Sequence, residues 1–190
     1  PLQGTFHKMS RIVRDMSKKL DKKVELVTIG EDTEVDKTIN DTIVDPLMHM
    51  VRNSVDHGIE TPDIRVANGK PENGTVMLKA SNEGNMIVIE IKDDGAGIDV
   101  DKVRKKAIDK GLIHPDKVIS DQDAYQLIMQ PGFSTADKIS NISGRGVGLD
   151  VVKTMINNLK GNISVSSVKG HGTTFTIKLP LTLAIIQGLL

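Results

Sequence analysis

The sequence predicts an α+β two-layer sandwich, with a mixed, largely antiparallel sheet covered on one face by helices. Two pairs of alternating apolar segments, 75–80 with 86–92 and 162–168 with 173–179, are each joined by a short glycine-containing turn, as in hairpins. Amphipathic helical patterns separate these pairs, and the order of elements lacks the strict strand–helix alternation of a doubly wound sheet. At 190 residues the chain is long enough for one substantial core.

The N-terminal quarter predicts a helix, a strand and an edge strand. Apolar residues recur three or four positions apart at Phe6, Met9, Val13, Met16 and Leu20, which indicates an amphipathic helix. Residues 24–28 then predict a strand that closes near Gly30, and residues 34–36 predict a short edge strand. One or two helical turns are expected over 37–43.

Asp45 and Pro46 predict the start of the next helix, because Asp suits the N-cap and Pro suits the first helical position. Within that helix His49, Asn53 and His57 follow one another at intervals of four, so they form one polar row. The row is either a solvated face or part of a site. The short polar side chains favour a site, since solvated faces usually carry Lys and Glu.

Two carboxylates and two glycines directly follow the predicted strand 86–92, in the order Asp-Asp-Gly-Ala-Gly at 93–97. This segment either forms a turn or lets a carboxylate reach a ligand. Before that strand pair, residues 61–73 predict a loop or a short helix with loops. After it, Asp99 or Asp101 caps a helix over 102–110.

Residues 112–142 show weak patterns, with one short helix around 123–129, and are interpreted as a lid or functional loop. They lead into a stretch in which Gly144, Gly146 and Gly148 alternate with other residues, directly before a helix over 147–159. Backbone N–H groups and the positive dipole end at such a helix start suit an anion such as phosphate. A tight connection without a ligand is the alternative.

The chain is predicted to hold one domain over 1–180. The tail 181–190 is almost wholly apolar, so we expect the sequence to be cut from a longer protein and this tail to begin a linker to a following domain. Residues 1–8 are interpreted as a remnant of a preceding helical segment.

Composition excludes several classes of protein. The net charge is zero and aromatic residues make up 2% of the chain, which argues against a nucleic-acid surface. The absence of cysteine excludes thiolate metal sites and cysteine nucleophiles. We find no signal peptide and no apolar run of about 18 residues, so a cytoplasmic protein without membrane insertion is expected.

Four segments together resemble the ATPase superfamily of gyrase, MutL-type repair proteins, the ninety-kilodalton chaperone and histidine kinases. Residues 49–58 are similar to its asparagine box, and 93–97, 144–149 and 170–175 to its three glycine boxes. The resemblance implies a Bergerat-type ATP-binding fold. Each box alone is weak, whereas all four in this order are specific.

Three segments carry a closer resemblance, to chemotaxis histidine kinases of the CheA type: 53–60, 131–135 and 143–152. The passage 179–187 is also similar to that family's passage into its regulatory domain. The resemblance implies binding of ATP and Mg²⁺ and transfer of phosphate to a histidine on a separate phosphoacceptor domain. It also implies neighbouring dimerisation and regulatory domains, and coupling to chemoreceptors and an adaptor.

The resemblance implies a role for each matching residue. Asp93 accepts a hydrogen bond from the adenine amino group, and Asn53 coordinates Mg²⁺. His49 lies near the γ-phosphate, where it helps the acceptor histidine lose its proton or positions it; a structural hydrogen bond is the alternative. The remaining cofactor-binding residues are His57, Gly95, Gly97, Lys102, Lys106, Gly144, Gly146, Gly148 and Thr173, with the Thr173 hydroxyl holding Asp93. Solvated surface is the alternative for the two lysines.

Two other functions remain open at this point. An ATP-driven conformational ATPase of the gyrase or chaperone class carries a catalytic glutamate just before the asparagine, and residues 45–52 contain none. A degenerate, non-catalytic nucleotide sensor is the second alternative.

Overall fold

A computed structural model describes residues 1–133 and 148–181 of the protein. A single five-stranded sheet forms its centre, in the order β1-β2-β3-β5-β4. Strand β1 pairs with β2 in parallel, and the other three pairings are antiparallel, which confirms the predicted mixed, largely antiparallel sheet. The strands are β1 (Val24–Ile29), β2 (Gly74–Glu83), β3 (Met86–Asp93), β4 (Asn162–Val168) and β5 (Gly172–Pro180).

Helices account for most of the remaining described residues. A five-residue π-helical turn, Ser54–Gly58, continues directly from the second helix and is called the π-turn below. The α-helices are α1 (Gln3–Lys19), α2 (Lys37–Asn53), α3 (Pro62–Ala67), α4 (Val100–Asp109), α5 (Asp121–Ile128) and α6 (Leu149–Asn158).

The core lies between one face of the sheet and the helices α1, α2 and α6. Alternate residues of β2, namely Val76, Leu78 and Ala80, are buried, as strand geometry requires when one face is covered. The outward side chains of the edge strand β1, Val27 and Ile29, are exposed. The two-layer sandwich predicted from the sequence is therefore confirmed.

The predicted edge strand at 34–36 is wrong, and so is the predicted helix start at Asp45 and Pro46. The Asp36 carboxylate accepts a hydrogen bond from the Thr38 N–H at 3.4 Å, so α2 begins at Lys37. Pro46 lies inside the helix, and because proline has no N–H, the hydrogen bond to the Thr42 carbonyl is lost. Its ring is buried with the neighbouring apolar side chains of α2, and that tertiary packing offsets the local cost.

The first part of the predicted lid belongs to the scaffold. Helix α5 starts with a capping box, in which the Ser120 hydroxyl accepts from the Asp123 N–H and the Asp123 carboxylate accepts from the Ser120 N–H. Tyr125 and Leu127 on this helix are buried, and α5 packs on α4. Residues 134–142, the rest of the predicted lid, lie outside the described residues.

Residues at the N-terminus pack in the same core as the rest of the domain. Leu2 and Phe6 are fully buried, and the Thr5 hydroxyl donates to Asn40 Oδ1 at 2.9 Å. Whether residues 1–8 also continue a preceding helical segment stays a prediction. Within this chain they complete the interface between α1 and α2.

Replacing Phe6 with Ala tests that interface. We expect F6A to lower the free energy of unfolding by about 3–5 kcal/mol, because a fully buried ring leaves a cavity. Lys8→Ala is the matched control on an exposed position of the same helix and changes stability by about 0.5 kcal/mol at most. Denaturant unfolding monitored by circular dichroism measures both; equal stabilities of F6A and K8A would contradict the packing described here.

Candidate functional site

Asp93 occupies the last position of β3, in the middle of the sheet. It pairs with Val76 of β2 on one side and with Thr173 of β5 on the other, and it is 3% exposed. A carboxylate at such a position is costly to bury unless its oxygens accept hydrogen bonds. Its surroundings therefore decide what it can do.

Burial raises the pKa of Asp93 to about 6. The N–H groups of Gly95 and Thr173 act in the opposite direction, and the Gly95 N–H donates to Asp93 Oδ1 at 2.9 Å. The neighbouring charge of Asp94 adds a smaller increase. The carboxyl thus titrates near neutrality, and its ionised form has unused capacity to accept a hydrogen bond.

The Ser54 hydroxyl is the second polar group in this region. It is buried and close enough to Asp93 to lower the pKa of that carboxyl slightly, yet its oxygen has no standard hydrogen-bond partner among the described residues. Buried polar atoms without partners are uncommon and often mark a place that a ligand or water completes. Sequence reasoning did not single out Ser54.

The loop after β3 is held by two neighbouring segments. The Ala96 N–H donates to the Gly58 carbonyl of the π-turn at 2.9 Å, and the Gly170 N–H of the β4–β5 turn donates to the Ala96 carbonyl at 2.6 Å. Two residues on, the Ile98 N–H donates to the Ser167 hydroxyl at 2.8 Å. The asparagine-box, first-glycine-box and third-glycine-box segments therefore meet around Asp93.

Gly95 and Gly97 allow this close approach. A Cβ atom at Gly95 would lie 2.0 Å from the Gly58 carbonyl oxygen, and one at Gly97 would lie 2.4 Å from the Val168 carbonyl oxygen. Both distances are far inside contact range, so any larger residue displaces backbone. Close packing against backbone therefore explains why both positions are glycine. The contact of Gly95 and Gly97 with a nucleotide stays a prediction.

The Thr173 hydroxyl has a different partner from the one the sequence suggested. It shares a hydrogen bond with the Ser167 hydroxyl at 3.1 Å, and the Ser167 hydroxyl also bonds the Gly172 carbonyl at 2.9 Å. Thr173 acts on Asp93 through its backbone N–H instead. The residue is 8% exposed and remains next to the carboxylate through strand pairing.

The predicted polar row continues along regular α-helix only as far as Asn53. His49 and Asn53 lie on the last turns of α2 and are partly buried, whereas His57 lies on the π-turn. There the Ile59 N–H bonds the carbonyl of Ser54, five residues earlier, which changes the angular position of the side chains. The His57 side chain is 71% exposed, with Nε2 3.6 Å from Asp56 Oδ2.

Lys22 holds the π-turn by bonding its backbone. Its ammonium donates to the carbonyls of Val55 and Asp56 at 2.8 and 2.6 Å. Burial lowers the pKa of Lys22, and the nearby carboxylates of Asp56 and Glu60 partly counteract this. The π-turn ends at Gly58, beside Asp93, so Lys22 stabilises one wall of the site.

The two predicted lysines lie on α4. Lys102 and Lys106 are exposed and, with Lys105, Asp109 and Lys110, line a depression of about 380 Å³. The Lys106 ammonium lies 4.8 Å from the centre of the Phe133 ring. Asp99 caps this helix, as one of the two predicted candidates, by accepting from the Lys102 N–H.

Of the three alternating glycines, Gly148 is the N-cap residue of α6, and Gly144 and Gly146 lie outside the described residues. The helix therefore starts at Leu149, directly after the predicted glycine stretch. The described residues contain no group of three or more His, Cys, Asp or Glu side chains suited to holding a metal ion. In the same described ranges, no helix is long and apolar enough to cross a membrane.

Arg65 and Lys70, like Ser54, are residues near the candidate site that sequence reasoning missed. The Arg65 side chain is 1% exposed and bonds Asp94, directly beside Asp93. A lone arginine in a short polar segment ordinarily indicates a solvated surface, so the pattern gave no signal. Only the folded structure brings its guanidinium into contact with Asp94 in the loop after β3.

The chain belongs to the histidine kinase-, DNA gyrase B- and HSP90-like ATPase family, whose model matches residues 42–183. The matched range contains the π-turn, Asp93 and the β4–β5 turn described above. Within this family it is similar over its whole length to proteins named chemotaxis protein CheA. Identity is 58% with that of Treponema pallidum, 57% with that of Borreliella burgdorferi and 51% with that of Bacillus subtilis.

The chain spans about a quarter of the length of these relatives: 23%, 22% and 29% respectively. Solved structures confirm the Bergerat fold. The catalytic domain of the histidine kinase ThkA aligns with a TM-score of 0.58 at 17% identity, over 95% of this chain and 93% of that one. Full-length ShkA in complex with AMPPNP aligns with a TM-score of 0.59 at 16% identity, over 96% of this chain and 30% of that one.

The raised pKa of Asp93 predicts a pH-dependent stability. Since the folded state holds this proton more tightly than the unfolded chain, the stabilisation is complete below pH 3.8 and is lost as the pH rises through about 6. Asp93→Asn is neutral throughout and serves as the reference. We expect the stability of D93N relative to wild type to rise by about 2–3 kcal/mol between pH 4 and pH 7.

Urea unfolding at several pH values measures this difference. A constant difference across the range would show that Asp93 titrates at its ordinary pKa. The midpoint of the change should lie between pH 4 and pH 6.

Proposed function

We propose that this chain is the ATP-binding catalytic domain of a chemotaxis histidine kinase. The domain transfers the γ-phosphate of ATP to a histidine on a separate phosphoacceptor domain. One observation supports it most strongly: a buried carboxylate with spare acceptor capacity lies where the asparagine-box and glycine-box segments meet, in a chain of the ATPase family. Similarity to CheA proteins along all 190 residues supports a role in chemotaxis.

Asp93 is the adenine-recognising residue in this proposal. Its ionised carboxylate accepts a hydrogen bond from the exocyclic amine of adenine, while a guanine would present a carbonyl oxygen to it. The buried Ser54 hydroxyl, whose oxygen has no hydrogen-bond partner of standard geometry among the described residues, lies close to this carboxylate. Because the amine bonds the ionised form, ATP binding lowers the pKa of Asp93 from about 6.

Mg²⁺ fits the residue at the end of α2. Asn53 is partly buried there and offers a neutral carboxamide oxygen, a ligand type that magnesium accepts beside phosphate oxygens and water. The bound ion would neutralise part of the triphosphate charge. We assign Asn53 as its protein ligand.

We assign the phosphates to exposed cations and to backbone N–H groups. His57 is exposed on the π-turn, and Lys102 and Lys106 are exposed on α4, so all three can donate to phosphate oxygens. The N-terminus of α6 at Gly148, with Gly144 and Gly146, supplies backbone N–H groups, and Gly95, Gly97 and Thr173 border the base. His49 orients or deprotonates the incoming histidine.

The rest of the kinase lies outside this chain. Since the relatives are about four times longer, the phosphoacceptor histidine domain, the dimerisation and regulatory domains, and the contacts with chemoreceptors and an adaptor belong to other segments. The domain acts in the cytoplasm in this proposal. It needs no nucleic acid and no membrane insertion.

Nucleotide titration tests the binding half of the proposal. We expect wild type to bind ATP better with Mg²⁺ than without it and to bind GTP at least tenfold more weakly. D93N should weaken ATP binding about 10–100-fold, the value of a charge-assisted hydrogen bond. Asn53→Ala should remove the advantage conferred by Mg²⁺ and leave metal-free binding unchanged.

Calorimetry at pH 7.5 measures these affinities, and Lys23→Met, on an exposed ion pair with Glu72, serves as the control. Wild-type ATP affinity in D93N would refute the assignment of the adenine site.

Phosphotransfer tests the catalytic half. With radiolabelled ATP, the domain should label a cognate phosphoacceptor domain and release little phosphate when that domain is absent. His49→Ala should lower the rate of labelling about 10²–10⁴-fold, the usual contribution of a general base, with ATP affinity unchanged. Rapid ATP hydrolysis without an acceptor would favour the conformational ATPase instead.

A further inference from the structure

Arg65 is among the most deeply buried side chains of the protein. It is 1% exposed and uses all three guanidinium nitrogens. Its Nε donates to the Pro71 carbonyl at 2.8 Å, its Nη1 to Glu60 Oε1 at 2.9 Å and to the Asp94 carbonyl at 3.1 Å, and its Nη2 to Asp94 Oδ2 at 3.2 Å. The planar guanidinium thus joins α3 to the loop after β3.

Lys70 bonds the same loop and the second carboxylate oxygen of Glu60. Its ammonium donates to Glu60 Oε2 at 2.7 Å, to the Asp94 carbonyl at 3.1 Å and to the Gly95 carbonyl at 2.8 Å. Glu60 is 9% exposed and bridges the two cations. Two positive charges therefore converge on one backbone carbonyl, that of Asp94.

That carbonyl belongs to the peptide unit whose N–H is the Gly95 donor. In a planar trans peptide the C=O and N–H bonds point in opposite directions. Cations that hold the Asp94 oxygen on one side direct the Gly95 N–H to the other, where it donates to Asp93 Oδ1 at 2.9 Å. Bonding at the oxygen also polarises the peptide and strengthens the N–H as a donor.

A purely stabilising role explains this arrangement poorly. Removing two charges from water costs free energy that the buried ion pairs at best recover, and well-packed apolar residues often stabilise a fold as well or better. What apolar residues cannot do is fix the orientation of a peptide unit by bonding its oxygen. The geometry thus indicates control of the Asp93 carboxylate.

We propose that Arg65, together with Lys70, is a positioning residue for adenine recognition: by holding the Asp94 carbonyl it orients the Gly95 N–H that fixes the Asp93 carboxylate. This inference rests on the proposed function of Asp93. Neither cation touches the nucleotide. Their removal frees the carboxylate to rotate, so it weakens the bond to the 6-amino group and leaves the phosphate contacts intact.

The experiment compares two nucleotides on four proteins. Calorimetry at pH 7.5 with Mg²⁺ gives the affinities for ATP and for purine riboside triphosphate, which lacks the 6-amino group. The proteins are wild type, Arg65→Met, Lys70→Met and the control Lys23→Met, whose exposed partner Glu72 lies outside this network. The readout is the ratio of the two affinities, because a loss of folded protein lowers both equally.

We expect wild type and K23M to share one ratio in favour of ATP. The ratio should fall about tenfold in R65M and about threefold in K70M, where Arg65 still holds the Asp94 carbonyl. Affinity for purine riboside triphosphate should stay within about twofold in all four proteins.

Unchanged ratios in the variants would overturn the inference while the adenine site itself stands. Should R65M not fold, as judged by circular dichroism, K70M decides, since Lys70 is 17% exposed and its loss leaves the Arg65 pairs in place. A wild-type protein that binds neither nucleotide, or both equally, would instead refute the proposed function.

Discussion

A buried carboxylate constrains the segments that meet at the candidate site. Asp93 is 3% exposed at the end of a central strand, and ionisation there is costly. The protein stabilises the charge with backbone N–H groups from Gly95 and Thr173. These N–H groups can bond the carboxylate only if the segments that carry them have fixed positions. The π-turn, the loop after β3 and the β4–β5 turn bond one another and so fix those positions.

Three cations bond backbone carbonyls of the segments next to the carboxylate. Lys22 bonds the carbonyls of the π-turn, and Arg65 and Lys70 bond those of Asp94 and Gly95. A cation bonded to Asp93 itself would lower its pKa and occupy its acceptor sites. Holding the neighbouring carbonyls fixes the walls of the site and leaves the carboxylate with a pKa near 6, ready to accept a donor.

A shared fold coexists with low sequence identity in the solved histidine kinases. The solved kinase structures align with TM-scores of 0.58 and 0.59 at 16–17% identity, which reflects the sheet and the helices packed on it. The site depends on a smaller set of contacts, such as the approach of Gly95 to the Gly58 carbonyl. Fold and site are therefore separate constraints, and function follows the site.

The amino-acid sequence alone determined most of the strands and helices and predicted the residues of the candidate site. Alternating strands, hairpin turns and helical periodicity predicted the mixed sheet, because these patterns depend on neighbours a few residues apart. The four boxes located Asp93 and Asn53 by resemblance. Only the tertiary structure decided which local signals prevail: Asp36 starts α2, and burial of the Pro46 ring keeps that proline inside the helix.

The tertiary structure also decided the contacts that no local pattern contains. The π-turn shifts His57 away from the row of His49 and Asn53, because its hydrogen bond spans five residues instead of four. Arg65 becomes a buried support for the loop after β3 only when folding brings it to Asp94, 29 positions away in sequence. Sequence spacing predicts neither the position of His57 nor the burial of Arg65, because both depend on which backbone oxygen atoms lie within hydrogen-bond distance after folding.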